Sequence, residues 1–105
     1  MSLELKKKAQ NFGRGIGNMS RQLILDVLFD GPANVTVLVK KTGLKQPLVS
    51  QHLKILKETD LVLDKRSGQV ITYELNIQTI RGFVDSLSNE LNIYELFMKQ
   101  KGGLE

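Results

Sequence analysis

A chain of 105 residues and 11.8 kDa has room for one hydrophobic core, so a single domain over residues 1–105 is expected. Hydrophobic residues at 41% and charged residues at 25% are globular proportions, while 15 Lys+Arg against 11 Asp+Glu leave +4 and a pI near 9.5, a balance that favours an anionic partner. With no cysteine, disulfides, thiolate metal sites and thiol redox sensing are excluded, and a single histidine, His52, argues against an all-protein zinc site, so neither metal nor other cofactor is expected.

No stretch reaches the roughly 18 consecutive apolar residues of a membrane span. The start, MSLELKKKAQ, also lacks an apolar signal core, and a cytoplasmic protein without a membrane partner is expected. The terminal MSL and GGLE carry no functional weight.

Leu5, Ala9 and Phe12 recur at i, i+4 and i+7 around Lys6, Lys7 and Lys8, which predicts an amphipathic helix over the first dozen residues with a solvated basic face. Gly13, Gly15 and Gly17 are expected to break it. The GRGIG glycines have no strand before them and no Lys-Ser/Thr after them, so a linker is preferred to a phosphate-cradling loop.

Asn18 or Ser20 can cap a second helix with Leu23, Ile24, Val27 and Leu28 as its buried stripe, stopped by Asp30-Gly31-Pro32. Val35 to Thr42 predicts a short third helix with Leu38 and Val39 inward and Gly43 as a left-handed C-cap. Lys45 to Leu61, KQPLVSQHLKILKETDL, then predicts a fourth helix with two faces. Val49, Leu53 and Leu56 make its apolar stripe, while Gln46, Ser50, Gln51 and Lys54 point elsewhere. Two short helices around a tight glycine turn form a helix-turn-helix pattern.

After Lys57 the period changes from helical to alternating. Leu61 and Leu63 alternate with Val62 and Asp64, Lys65 to Gln69 forms a polar, basic turn, and Val70 to Leu75 resumes with Ile71, Tyr73 and Leu75 on one side. From Gln78 to about Lys99, Ile80, Phe83, Val84, Leu87, Leu91, Tyr94 and Met98 restore helical spacing, and Ile93, Leu96 and Phe97 widen the apolar surface beyond what a monomer needs. The expected fold is mainly α with a small antiparallel β-hairpin wing, in the winged helix-turn-helix order α-α-α-α-β-β-α.

The segments QPLVSQHLKILKETDLV and KRSGQVITYEL resemble those of the ArsR-type family of small dimeric transcription repressors, over about Leu23 to Leu75. The resemblance implies a sequence-specific DNA-binding regulator whose recognition helix carries Gln46, Ser50, Gln51 and His52, with Lys65, Arg66 and Gln69 at the wing. Residue chemistry agrees. Gln matches the donor and acceptor of an adenine edge, Ser serves either role, and Lys or Arg on a hairpin suits phosphates. Between Lys40 and Gln69 the cations 40, 41, 45, 54, 57, 65 and 66 outnumber the acids 58, 60 and 64 by the chain's whole +4, an electrostatic footprint for double-stranded DNA. For His52, packing stands beside DNA contact as an alternative.

The chain departs from the family in three places. Without cysteine, and with no histidine beyond His52, neither the thiolate site on the third helix nor the Asp/His site on the last helix can be built, so metal sensing is not expected. Asp60 replaces the usual glycine before Leu-Val, and Asp tolerates the left-handed conformation better than most residues. Lys45 stands where Ser or Thr usually caps the recognition helix, opposing its dipole by about 0.3–1 kcal/mol, which points to a phosphate contact at that helix start.

The expectation is therefore a homodimeric repressor on a palindromic operator. Lys45, Gln46, Ser50, Gln51, His52, Lys54, Lys65, Arg66 and Gln69 are assigned to DNA, and Leu5, Ala9, Phe12, Phe83, Leu87, Leu91, Tyr94 and Met98 to the dimer interface. The competing reading is a winged-helix protein-interaction module. No catalytic constellation is present, and an enzyme is not expected.

Overall fold

A computed structural model describes residues 1–102, and residues 103–105 lie outside the described residues. The order is α1 (Leu3–Ile16), α2 (Met19–Phe29), α3 (Val35–Thr42), α4 (Gln46–Glu58), β1 (Val62–Ser67), β2 (Val70–Leu75) and α5 (Ile77–Gln100). This is the expected winged helix-turn-helix order. Among the described residues no helix is long and apolar enough to cross a membrane.

The first helix runs further than its glycines predict. Ser2 Oγ accepts from the Leu5 N–H at 3.0 Å to start α1, which passes through Gly13 and Gly15 and ends at Gly17, whose N–H donates to Gly13 O at 2.8 Å. Gly15 is buried, and a Cβ there would collide with the Leu61 side chain and stand 2.8 Å from Thr59 Oγ1. This glycine marks a close approach rather than a break. Its cost inside a helix, about 1 kcal/mol against Ala, is offset by the contact it permits.

For α2 the cap is Asn18, whose Oδ1 accepts from the Arg21 N–H at 3.2 Å. The buried stripe is Ile24, Leu25 and Leu28, while Leu23 is 42% exposed, because the helix is rotated to turn the 24/28 and 25/28 rows inward. At its end the chain turns through Gly31, and Ala33 exchanges both backbone hydrogen bonds with Tyr73, at 3.0 and 2.9 Å, fastening the loop to the hairpin. The sequence carries no local sign of that bridge.

The helix-turn-helix follows its sequence closely. Asn34 Oδ1 caps α3 through the Val37 N–H at 2.9 Å, and Gly43 closes it at φ 75°. Val49, Leu53 and Leu56 of α4 are at most 1% exposed and join Ile24, Leu25, Leu28, Ala33, Leu38, Leu61 and Val62 in one core. Each buried Val, Leu or Ile side chain among them contributes on the order of 1.5–3 kcal/mol. The end of α4 is a Schellman motif: the Leu61 N–H donates to Leu56 O at 2.9 Å and the Asp60 N–H to Lys57 O at 3.0 Å, with Asp60 left-handed at φ 61°.

Leu61 and Val62 are both buried and Leu63 is 43% exposed, and the rest of β1 is exposed as well, so the expected alternation does not appear in its burial. Strand β1 pairs antiparallel with β2 from Val62↔Leu75 to Ser67↔Val70, leaving Gly68 and Gln69 as the turn. Lys65 and Arg66 therefore lie on the strand rather than in the tip. Burial along β2 is not one-sided: Val70, next to the turn, is exposed, and every residue from Ile71 to Leu75 is partly buried.

Asn76 Oδ1 starts α5 through the Thr79 N–H at 3.3 Å. No residue of this 24-residue helix is buried. It projects from the body, giving extents of 59 × 25 × 23 Å, and α1 lies along it. Phe12 and Phe83 stack with ring centroids 4.7 Å apart, Lys8 Nζ donates to Ser86 Oγ at 2.9 Å, and the Ser2 N–H and hydroxyl both donate to the Glu90 carboxylate. Those donors hold Glu90 below the usual carboxylate pKa.

Beside the Arg14–Glu58 ion pair at 4.0 Å, a hydrogen-bonded cross-link ties α4 to the helices behind it. Arg21 of α2 donates from Nε to Gly15 O at 2.7 Å and from Nη2 to Arg14 O at 2.9 Å, and its Nη1 lies 3.2 Å from His52 Nδ1. His52 is partly buried, and desolvation followed by the Arg21 charge lowers its pKa from the usual value. Arg21 can only donate, so the imidazole must be neutral with its proton on Nε2.

Two outcomes follow from this packing. Asp60→Gly should raise stability by roughly 0.5–1 kcal/mol in denaturant titration, because glycine meets the left-handed C-cap without strain. A lowered folded pKa at His52 gives stability that is complete above the unfolded value of about 6.5 and declines as pH falls below it. Melting temperature should therefore drop on acidification below about pH 6.5, and His52→Asn should remove that component.

Candidate nucleic-acid interface

With Val49, Leu53 and Leu56 committed to the core, the opposite side of α4 is free. Gln46, Ser50 and Lys54 form one exposed row at four-residue spacing, and Gln51 stands in the adjacent row. At the start of this helix Lys45 is the N-cap residue in extended conformation, and its side chain makes no capping hydrogen bond. Gln46 and Pro47 then open the helix, and no acidic residue lies in its first turn. The uncapped N–H groups, the positive dipole end and the Lys45 ammonium all favour negative charge at this point.

Lys40 and Lys41, in the last turn of α3, are exposed and have no ion-pair partner among the described residues. The hairpin supplies a second basic group, and its cations are not equivalent. Lys65 Nζ reaches Glu74 at 2.8 Å, diagonally across the two strands. Arg66 is exposed and has no such partner among the described residues, and Gln69 is exposed in the turn. Lys57, at the end of α4, is held by Asp64 at 2.7 Å. That hydrogen bond raises the Lys57 pKa and lowers that of Asp64. Both side chains are exposed, so the pair adds little stability, but it takes one cation out of the footprint.

Lys45, Gln46, Ser50, Gln51 and Lys54 thus share one open helix face, with Lys65, Arg66 and Gln69 on the hairpin as a separate group. His52 does not join them, because its Nδ1 is turned to Arg21. Sequence reasoning missed Arg21, whose partners lie 6, 7 and 31 residues away with no local pattern to announce them. It also missed Leu48, 42% exposed beside Gln51 on the free face. A leucine in the first turn of a helix reads as core until the rotation of that helix is known.

The second candidate surface is the outer side of α5. Val84 is 54%, Leu91 52% and Tyr94 54% exposed, and Leu87, Ile93, Leu96 and Phe97 are also exposed. Met98 is partly buried. The α1 side of the expected interface behaves differently. Leu5 is 1% exposed inside the chain, Ala9 is partly buried, and Phe12 and Phe83 are occupied with each other. These residues back the surface from beneath, because α1 spends its apolar stripe on α5 of the same chain. Among the described residues no three His, Cys, Asp or Glu side chains come together as a metal site.

Known proteins share both the sequence and this geometry. The family model described as "Bacterial regulatory protein, arsR family" matches residues 18–63, from the cap of α2 into β1. Transcriptional repressor SdpR of Bacillus subtilis (strain 168) is 30% identical over 82 residues, 78% of this chain and 91% of that protein. Nodulation protein NolR of Rhizobium meliloti is 35% identical over 81 residues, 77% of this chain but 66% of its own length. Among solved structures, the homodimeric winged helix-turn-helix DNA-binding domain of Mb0332 from Mycobacterium bovis is 26% identical with a TM-score of 0.67, covering 89% of this chain and 85% of that one. With the recognition helix, the hairpin and the long last helix all in place, the chain belongs to the arsR family of bacterial regulatory proteins and has the winged helix-turn-helix fold.

Proposed function

We propose that the chain is a homodimeric transcriptional repressor that binds a two-fold symmetric DNA operator. Two copies of α4 enter successive major grooves about 34 Å apart, and the hairpins lie against flanking backbone. The observation that carries this reading is the division of α4 into a fully buried stripe and an open face of amides, hydroxyl and cations. The names of two relatives support it: SdpR is called a transcriptional repressor, and Mb0332 a homodimeric DNA-binding domain.

In this reading Gln46, Ser50 and Gln51 read base edges, and Leu48 is placed to meet a thymine methyl. Lys45, Lys54 and Arg66 neutralise phosphates, with Lys65 and Gln69 in support. His52 has a packing role and is left out of the contact set. The exposed stripe from Val84 to Tyr94 on α5 is covered by the same stripe of a second copy, since a symmetric pair buries it without needing a second kind of surface. The protein works in the cytoplasm, on DNA, and is not an enzyme.

Selection of bound duplexes from a random pool should return a two-fold symmetric site. On that site Gln51→Ala should relax base preference at one position per half-site by roughly 1–3 kcal/mol. Lys45→Ser, Lys54→Ala and Arg66→Ala should instead weaken all duplexes alike, each lowering the slope of log affinity against log salt by about 1, with Lys65→Ala the smaller effect. Salt-insensitive binding would favour the interaction module instead. Leu87→Asp with Leu91→Asp should give a folded monomer in sedimentation and cost about a hundredfold in operator affinity through lost bivalency.

A further inference from the structure

Arg21 sits where α1, α2 and α4 meet. Its Nε and Nη2 donate to Gly15 O and Arg14 O, at 2.7 and 2.9 Å, in the last turn of α1, where helix carbonyls lack intrahelical partners. Its third nitrogen, Nη1, is 3.2 Å from His52 Nδ1 on α4. A planar guanidinium can serve two carbonyls and a ring at once, which the single point charge of a lysine cannot. The same turn of α1 meets α4 again at its far end, because Gly15 packs on Thr59 and Leu61, the residues of the Schellman motif. The recognition helix is thereby referenced to α1 at two points about two turns apart.

We propose that Arg21 is a positioning residue for DNA reading: by holding His52 against the end of α1, it sets the roll of α4 about its own axis and so decides how Gln46, Ser50 and Gln51 meet base edges. The inference rests on the DNA-binding reading above. Fixing the end at Thr59 and Leu61 sets where α4 lies, and the second attachment at His52 removes its remaining freedom to turn. Because α1 lies along α5, the bond also passes the placement of the dimer helices to the recognition helix.

The test compares affinity for the duplex selected by the unmodified protein with affinity for a shuffled duplex, in Arg21→Gln, His52→Leu, His52→Asn and the Arg21→Gln/His52→Leu double variant. Arg21→Gln and His52→Leu should each lower the preference for the selected site about tenfold while leaving shuffled-duplex affinity and its salt slope unchanged. The double variant should lose no more than the worse single one, since both remove the same bond. His52→Asn should restore preference, because its Oδ1 accepts near the position of Nδ1.

Additive losses, full preference in His52→Leu, or a His52→Asn variant as poor as His52→Leu would overturn the proposal, the last by making the ring itself a DNA contact. Parallel losses on both duplexes with a lowered melting temperature would also overturn it, by making the role structural. Should Arg21→Gln fail to fold, the two His52 variants decide alone. If the unmodified protein enriches no duplex, the DNA-binding reading falls and this inference with it, whereas enrichment with indifferent Arg21 and His52 variants sinks the inference alone.

Discussion

The dry face of α4 is the constraint on which the rest depends. Val49, Leu53 and Leu56 are sealed against Ile24, Leu28, Leu38 and Leu61, so a large rotation of the helix would expose several aliphatic side chains, and only a small roll is left for the Arg21–His52 contact to set. Its other face is consequently fixed in direction, and polar groups placed there are presented together. A surface helix with a loosely buried stripe could carry the same Gln46, Ser50 and Gln51 and still read nothing reproducibly. Precision here is a packing property before it is a hydrogen-bonding one.

Around this core the chain is unevenly invested. Among the described residues, the stretch from α2 to the start of β1 holds every buried hydrophobic side chain but Leu5, whereas α5 contributes none. Such a helix is stabilised by α1 along part of its length, through the Phe12–Phe83 stack and the Ser2–Glu90 hydrogen bonds. The exposed Val84, Leu91 and Tyr94 are left for another surface. An elongated shape of 59 × 25 × 23 Å fits half of a symmetric object better than a finished one.

Electrostatics divides the basic residues by pairing rather than by position in the chain. Lys57 and Lys65 are tied to Asp64 and Glu74, which orders the root and the middle of the hairpin, while Lys45, Lys54 and Arg66 have no ion-pair partner among the described residues. A formal charge of +4 therefore describes the whole chain but not the surface. Lys45 and Lys54 stand on the helix that carries the exposed amides, and Arg66 stands apart on the hairpin.

The sequence by itself determined the element order, the bounds of α3, the left-handed cap at Gly43, the Lys45 N-cap and the Val49–Leu53–Leu56 stripe, because each is written in residues within a turn or two of one another. Only the tertiary structure decided what depended on distant partners. Gly15 reads as a helix breaker until Thr59 and Leu61 arrive against it, and Leu23 reads as core until α2 is rotated onto its neighbours. Leu5 reads as an interface residue until α1 folds along α5, and His52 stands open between packing and DNA contact until Arg21 reaches its Nδ1 from α2. Periodicity and capping are properties of a segment. Rotation, close approach and the choice of hydrogen-bond partner belong to the pairing of segments, and no spacing along one segment encodes them.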